Sequence, residues 1–478
     1  MKLSRGIAVA NLAVVWLGLV LLGEAVGSAQ SSVKPPENSL TLDQAVDFAL
    51  ANYPAVRASM ERALTSKEGV SLSRTAYLPR TDLLWQSNRA TRNNIFGLLF
   101  PQSVLPSMSG PVLAGTSDRG VWGSAAGILL SWEPFDFGYR GANVNVAKAS
   151  ENRANAELAL TKLDVAGAVG DAFLRLAAAQ QQVKAAQADV DRRQVLATSV
   201  HALVKEELRP GADASRADAE LAAAKIQLIR SQQVEQESEA TFAELLGISG
   251  NKVAISADLL LAAPPNPYGS LPALVDHPAA QVANSTLFET QAREKVLSRS
   301  YYPRFNLQGS FSGRGSGANT AGTFGTGTDG LDLMRHNWAV GLTATFSVLD
   351  FPSLHFKKQI ERSNERAQRA DYDRTIQTLT AQAKRAKAAY DSAVLISQNT
   401  PVELEAARLG ETQATARYQA ALAPIVEVAE AQRLLLQAEI EDNVARLTVW
   451  RAMLGEALAQ GDLQPFLELV RKRAAGGQ

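Results

Sequence analysis

Glu427 and Glu430 are the pair of residues in this chain whose type and spacing best suit chemistry. They lie three positions apart in a stretch of helical pattern, so both carboxylates share one helix face. Such a pair can attract cations; it is equally the pattern of a solvated helix surface. No catalytic constellation accompanies it. The four histidines, His201, His277, His336 and His355, are scattered and share no metal-ligand spacing. The glycine-rich stretch at 313–330 lacks the Lys-Ser or Lys-Thr ending and the strand-turn-helix context of a phosphate loop. The residues therefore point to no metal, no cofactor and no enzyme. Lys plus Arg and Asp plus Glu balance at 48 each, which argues against a nucleic-acid partner, because phosphate binding needs surplus positive charge.

The elements that must position these residues begin with a leader. Lys2 and Arg5 precede an apolar run from Ile7 to Leu22, and Gly27-Ser28-Ala29 offers a cleavage site, so residues 1–29 read as a secretory signal peptide. The chain has no cysteine, so an exported protein of this length relies on packing or assembly instead of disulfides. After the leader, no stretch approaches the roughly 20 apolar residues of a membrane-spanning helix. Any crossing of a membrane must be made by β-strands.

Self-similarity organises the rest. Asn52-Tyr53-Pro54 recurs as Asp276-His277-Pro278, and Tyr77-Leu78-Pro79-Arg80 as Tyr301-Tyr302-Pro303-Arg304. Phe135-Asp136-Phe137 recurs as Leu349-Asp350-Phe351, and Arg209-Pro210-Gly211-Ala212 has a counterpart in Ala420-Ala421-Leu422-Ala423. The chain is thus read as a duplication, with one repeat at 30–264, a second at 265–460 and a periplasmic tail at 461–478. Pro264-Pro265-Asn266-Pro267 marks the junction. Each repeat opens with a helix; the first starts at a capping box of Thr41 and Gln44 and runs to about Leu72. A strand pair follows, at about 81–134 and 304–348. Then comes a long helix, at about 141–208 and 354–419, and a return helix, at about 214–246 and 425–455. At about 1.5 Å per residue the first long helix spans roughly 100 Å. Thr400-Pro401-Val402-Glu403 predicts a kink or restart in the second.

The strands alternate. Trp338, Val340, Leu342, Ala344, Phe346 and Val348 fall on one face, with Asn337, Ala339, Gly341, Thr343, Thr345 and Ser347 on the other. One greasy and one small or polar face suits a lipid-facing barrel strand. Trp85, Trp122, Trp132 and Trp338 all lie in these segments, and tryptophan settles at bilayer interfaces. The loop at 94–118 carries Ile95, Phe96, Leu98, Leu99 and Phe100, which cap a pore, meet a neighbour or pack on themselves. Four strands cannot close a barrel, and open edges in lipid cost several kcal/mol per unpaired group. Three chains supply twelve strands.

These features resemble the TolC-like outer-membrane efflux proteins over about residues 38–460. The matching pieces are Leu42-Asp43-Gln44-Ala45, the paired prolines, Trp132 to Gly138, and Tyr418-Gln419-Ala420-Ala421-Leu422-Ala423 followed by Val426 to Arg433. The resemblance implies a mainly α, mixed α and β fold in a homotrimer. A twelve-stranded outer-membrane barrel would continue as an α-helical tube through the periplasm. It implies a passive export channel docked through a periplasmic adaptor (a membrane fusion protein) to an inner-membrane transporter. A soluble periplasmic coiled-coil scaffold or adaptor is the alternative. The resemblance further places Tyr418, Glu427 and Glu430 at a periplasmic gate, where a trimer would gather six carboxylates, hold cations and raise one another's pKa. The turns Arg209-Pro210-Gly211 and Ala421-Leu422-Ala423-Pro424 would be the tips that meet the adaptor. Two departures stand out: Ala421 replaces a common glycine, and Ala423 stands where some members have a basic residue.

Overall fold

The computed structural model describes residues 39–91, 93, 100, 102–105, 115–261, 274–318, 325 and 327–476. The signal peptide, the Pro264–Pro267 junction and loop residues Ile95, Phe96, Leu98 and Leu99 lie outside the described residues.

Helix α1 spans Leu42–Asn52 and α2 spans Pro54–Thr75. They are two helices where the sequence reads as one. Pro54 has no N–H to continue the ladder and forces Tyr53 into an extended conformation, with φ −65° and ψ 129°. The expected capping box is present, with the Thr41 amide donating to Gln44 Oε1 at 3.2 Å. In the second half His277 and Pro278 do the same, so that α5 (Pro278–Arg299) and α2 are both 22 residues long.

Strands β1 (Arg80–Thr91), β2 (Gly120–Phe135), β3 (Arg304–Ser316) and β4 (Arg335–Thr345) form one antiparallel sheet in the order β1-β2-β3-β4. The register aligns Leu83, Ile128, Phe311 and Trp338 in a single row. Most of the large apolar residues of the four strands therefore share a face, with Leu84 and Leu129 on the other. In the single chain that face is open, with Trp338 78% and Leu83 75% exposed. β1 and β4 leave their outer edges without a partner strand among the described residues.

Two long helices carry the chain away from the sheet: α3 (Tyr139–Lys205, 67 residues) and α6 (Phe351–Gln419, 69 residues). Each turns into a return helix, α4 (Gly211–Leu245) and α7 (Ile425–Gln460), and α8 (Gln464–Gly476) ends the chain. Near the sheet, α2, α3, α5 and α6 pack side by side; farther away the order is α4, α3, α7, α6. The main core sits between these zones, where α1 and α8 close over the bundle with Leu42, Val46, Phe173, Phe242, Trp450, Met453 and Phe466 buried together. None of the helices is long and apolar enough to cross a membrane, among the described residues.

No helix restarts at Pro401: α6 runs through it. Thr400 does not cap a new helix. Its buried hydroxyl donates to Asp442 Oδ1 on α7 at 3.1 Å, and packing along α7 holds the helix across the missing hydrogen bond. The junction between β2 and α3 is tighter. The Asp136 carboxylate accepts from the Gly138 and Arg140 amides and the Arg140 Nε, at 3.0, 2.7 and 2.8 Å. Burial pushes its pKa up, but these bonds and the Arg140 charge hold it below the usual carboxylate range. Phe137 is left-handed there, at φ 51°, and stacks on Tyr302 at 5.2 Å.

Candidate functional site

The far ends of the two helical hairpins bring the candidate residues together. Both turns are built alike. Glu207 and Ala421 adopt the left-handed conformation at φ 57° and 63°. The next amides, Leu208 and Leu422, reach back to the carbonyls of Leu203 and Arg417, closing each helix with a Schellman bond. Pro210 and Pro424 then cap α4 and α7. This corrects the register of the repeat. Glu206 to Pro210 corresponds to Ala420 to Pro424, so Arg209 matches Ala423, and Gly211 is already the first residue of α4. Glu207 and Leu208 belong to the first tip and escaped notice because neither is a usual turn residue. Leu208 and Leu422 project into solvent, Pro210, Gly211 and Ala421 are exposed, and Ala423 is buried.

Tyr418 joins the hairpins. It is 1% exposed, among Val200, Ala214, Ala217, Leu221, Ile425 and Val428. Its hydroxyl donates to Asp213 Oδ2 on α4 at 3.2 Å. The Arg209 guanidinium lies 4.3 Å from its ring centre and donates to its backbone carbonyl. Burial, and then the Asp213 charge and hydrogen bond, push the phenol pKa up against the opposing pull of Arg209, so the hydroxyl stays protonated. The cation missing at Ala423 is supplied by its counterpart in the other repeat.

The acidic pair is less bare than a ring of carboxylates would be. Glu427 lies 3.5 Å from Arg417 Nη1. Glu430 holds Arg433 in a two-point contact, at 2.6 and 3.0 Å. Within one chain the Arg433 hydrogen bond lowers the Glu430 pKa, its nearest charged neighbour being a guanidinium. Glu427 and Glu430 border a groove of about 580 Å³ between α6 and α7 that also contains Glu403 and Arg417. No cluster of three or more His, Cys, Asp or Glu could hold a metal ion among the described residues.

Along the sheet, Trp122 and Trp132 sit near opposite ends of β2, ten residues apart. That is roughly 33 Å of strand, or about 25 Å of height at a tilt near 40°, the thickness of an outer-membrane apolar band. Trp132 Nε1 donates to the Tyr77 carbonyl at 3.0 Å. Trp85 and Trp338 register with Ala126 and Ile128, between those ends.

The family model described as outer membrane efflux protein matches residues 45–248 and 272–454, in both repeats. The solved outer-membrane channel OprN superposes with a TM-score of 0.69 at 18% identity, covering 88% of this chain and 89% of that one. The Campylobacter jejuni outer membrane channel CmeC superposes with a TM-score of 0.72 at 14% identity, covering 93% and 94%. Protein CyaE of Bordetella pertussis is 24% identical over 229 residues, 47% of this chain; the match spans under half of that relative, 44% of its length. With the family model met on both sides of the internal duplication, this chain belongs to the outer membrane efflux protein family.

Proposed function

We propose that three copies of this chain form a passive export duct. It receives cargo from an inner-membrane transporter through a periplasmic adaptor and releases it outside the cell. The observation that carries this reading is the four-stranded sheet, with one apolar exposed face and, among the described residues, two unpaired edges. Such a sheet is stable in lipid only as part of a closed barrel, and three chains close twelve strands. A soluble scaffold would have no use for a row of Leu83, Ile128, Phe311 and Trp338 open to its surroundings. The work is conduction, not catalysis: the polar groups at the hairpin tips hold one another instead of converging on a substrate.

On this reading Glu427 and Glu430 line the entrance, the buried Tyr418 braces the hairpins behind them, and Leu208 and Leu422 lead the tips toward the adaptor. The test is single-channel recording of the full-length protein in planar bilayers. The wild type conducts with cation preference, and a variant with both Glu427→Gln and Glu430→Gln loses that preference and any block by divalent ions. A protein that forms no channels sinks the duct. A double variant with unchanged selectivity and block removes the acidic pair from the entrance.

A further inference from the structure

A short segment between β1 and β2 lies against the sheet. The sheet face opposite Leu83 and Trp338 is the one that looks into a closed barrel, and its middle is covered. Ala125, Asn88 and Ser312 on that face are buried. Against it lies the short segment Gln102–Leu105, with Val104 and Leu105 buried. A methyl group placed on Gly127 would lie 3.2 Å from Leu105 Cδ2, so the side chain rests directly over that glycine. Gly127 faces Leu84 on β1 and Ser312 on β3.

Two features make this a built element. The first is its internal wiring. Gln102 Oε1 accepts from the Val104 and Leu105 amides at 2.6 and 2.7 Å, and its Nε2 donates to the Leu105 carbonyl at 2.6 Å. One side chain thus satisfies three backbone groups that burial would otherwise leave unpaired. The second is its depth. Gly127 lies seven residues from the start of β2, at the end remote from the helices. That is roughly 23 Å along the strand.

We infer that Gln102–Leu105 is an apolar constriction inside the barrel, a restriction to passage separate from the acidic entrance at the hairpin tips. The inference rests on the duct reading. Three copies bring three Val104-Leu105 pairs into one lumen whose wall mixes Leu84 and Leu129 with Gln86, Asn88, Ser310 and Ser312. A hydrophobic collar of that kind resists hydrated ions by dewetting. It yields to solutes that bring apolar surface of their own, which makes it a selector of cargo chemistry.

The chain has no cysteine, so an introduced pair reports without background. In the full-length protein carrying Leu105→Cys and Gly127→Cys, oxidation links the two positions within one chain. The oxidised channels then carry less than half the ion current of the reduced ones in planar bilayers. Gln102→Ala, which unpins the segment, raises current at least twofold over the wild type with the trimer intact. Absence of the cross-link overturns the placement. A cross-link with equal current in both redox states, or Gln102→Ala at wild-type current, overturns the constriction. If the double-cysteine protein fails to assemble, Gln102→Ala and Leu105→Ser decide alone, both positions lying outside the four strands. A wild type that conducts nothing refutes the duct itself, a result distinct from a conducting wild type whose variants behave alike.

Discussion

Tyr418 is where the first hairpin grips the second, and three different interactions meet on it: a buried ring, a hydroxyl on Asp213 and a guanidinium over its face. Arg209→Ala removes the cation–π contact and the bond to the Tyr418 carbonyl, together worth about 1–2 kcal/mol. That shifts a balance between joined and separated tips by roughly five- to thirtyfold. Open probability in planar bilayers rises accordingly, and Arg209→Lys recovers part of it, since an ammonium keeps the charge but not the planar fork. Unchanged open probability in Arg209→Ala means the contact does not hold the tips together. His277 sets a second residue-scale property. Its Nδ1 accepts the Ala279 amide at 3.0 Å, and its Nε2 meets the Leu458 carbonyl at 3.1 Å. Only the neutral ring can do both. Burial lowers its pKa, against the opposing pulls of the Leu458 carbonyl and Asp164. A lowered histidine pKa contributes stability at neutral pH that is lost as pH falls from the ordinary histidine range through the folded value. Asp164, raised by burial, has the opposite sign and acts from the ordinary carboxylate range upward to its own folded value. Thermal denaturation should therefore move to lower temperature between pH 7 and pH 5.5, and His277→Gln should flatten that dependence. A wild-type melting temperature constant over that interval would remove His277 from the balance.

At the scale of elements, α8 turns what reads as a tail into part of the core. Leu463, Phe466, Leu467 and Val470 are buried, and Phe466 meets Trp450 edge-on at 6.2 Å. Arg471 reaches Asp47 of α1 at 3.0 Å. Phe466→Ala costs about 3–5 kcal/mol. Loss of the helical circular dichroism signal should come at a temperature lower by roughly 5 °C or more, and Phe466→Leu should recover most of it. An unchanged transition would show that α8 does not close the core. The sequence carried the larger elements well. Prolines displaced by 224 residues set α2 and α5, and strict alternation set the face of β4. Less of the tip region was legible. Left-handed Glu207 and Ala421 have no glycine to announce them, so the turn register could be anchored only on Pro210 and Pro424. The Arg209–Tyr418 contact joins residues 209 positions apart and leaves no local pattern. The stretch after Gly461 is short and amphipathic, and only the presence of Trp450 beneath it distinguishes a docked helix from a loose end.

At the scale of the whole molecule, the duplication makes sense only in an assembly. One chain makes a wall: among the described residues two strand edges are unpaired and the flanks of α4 and α6 have no helix packed beyond them. Exposed Ile226 and Ile229 on α4, and Leu395 and Ile396 on α6, are apolar surface awaiting that neighbour. The same closure must put the apolar sheet face into lipid and the Ser and Asn face into water. Phe311 and Ser310 test this on one strand, because adjacent residues of β3 point to opposite faces. Phe311 registers with Ile128, close to midway between Trp122 and Trp132. A lysine there costs about 2–4 kcal/mol near the bilayer midplane, and a trimer meets that cost three times. Ser310→Lys places the same charge in the water-filled lumen at little cost. Phe311→Lys should therefore leave few trimers in the outer-membrane fraction, and Ser310→Lys should assemble at wild-type levels with altered ion selectivity. Equal assembly of the two variants, or a worse defect in Ser310→Lys, would reverse the faces of the sheet and with them the direction in which Gln102–Leu105 points.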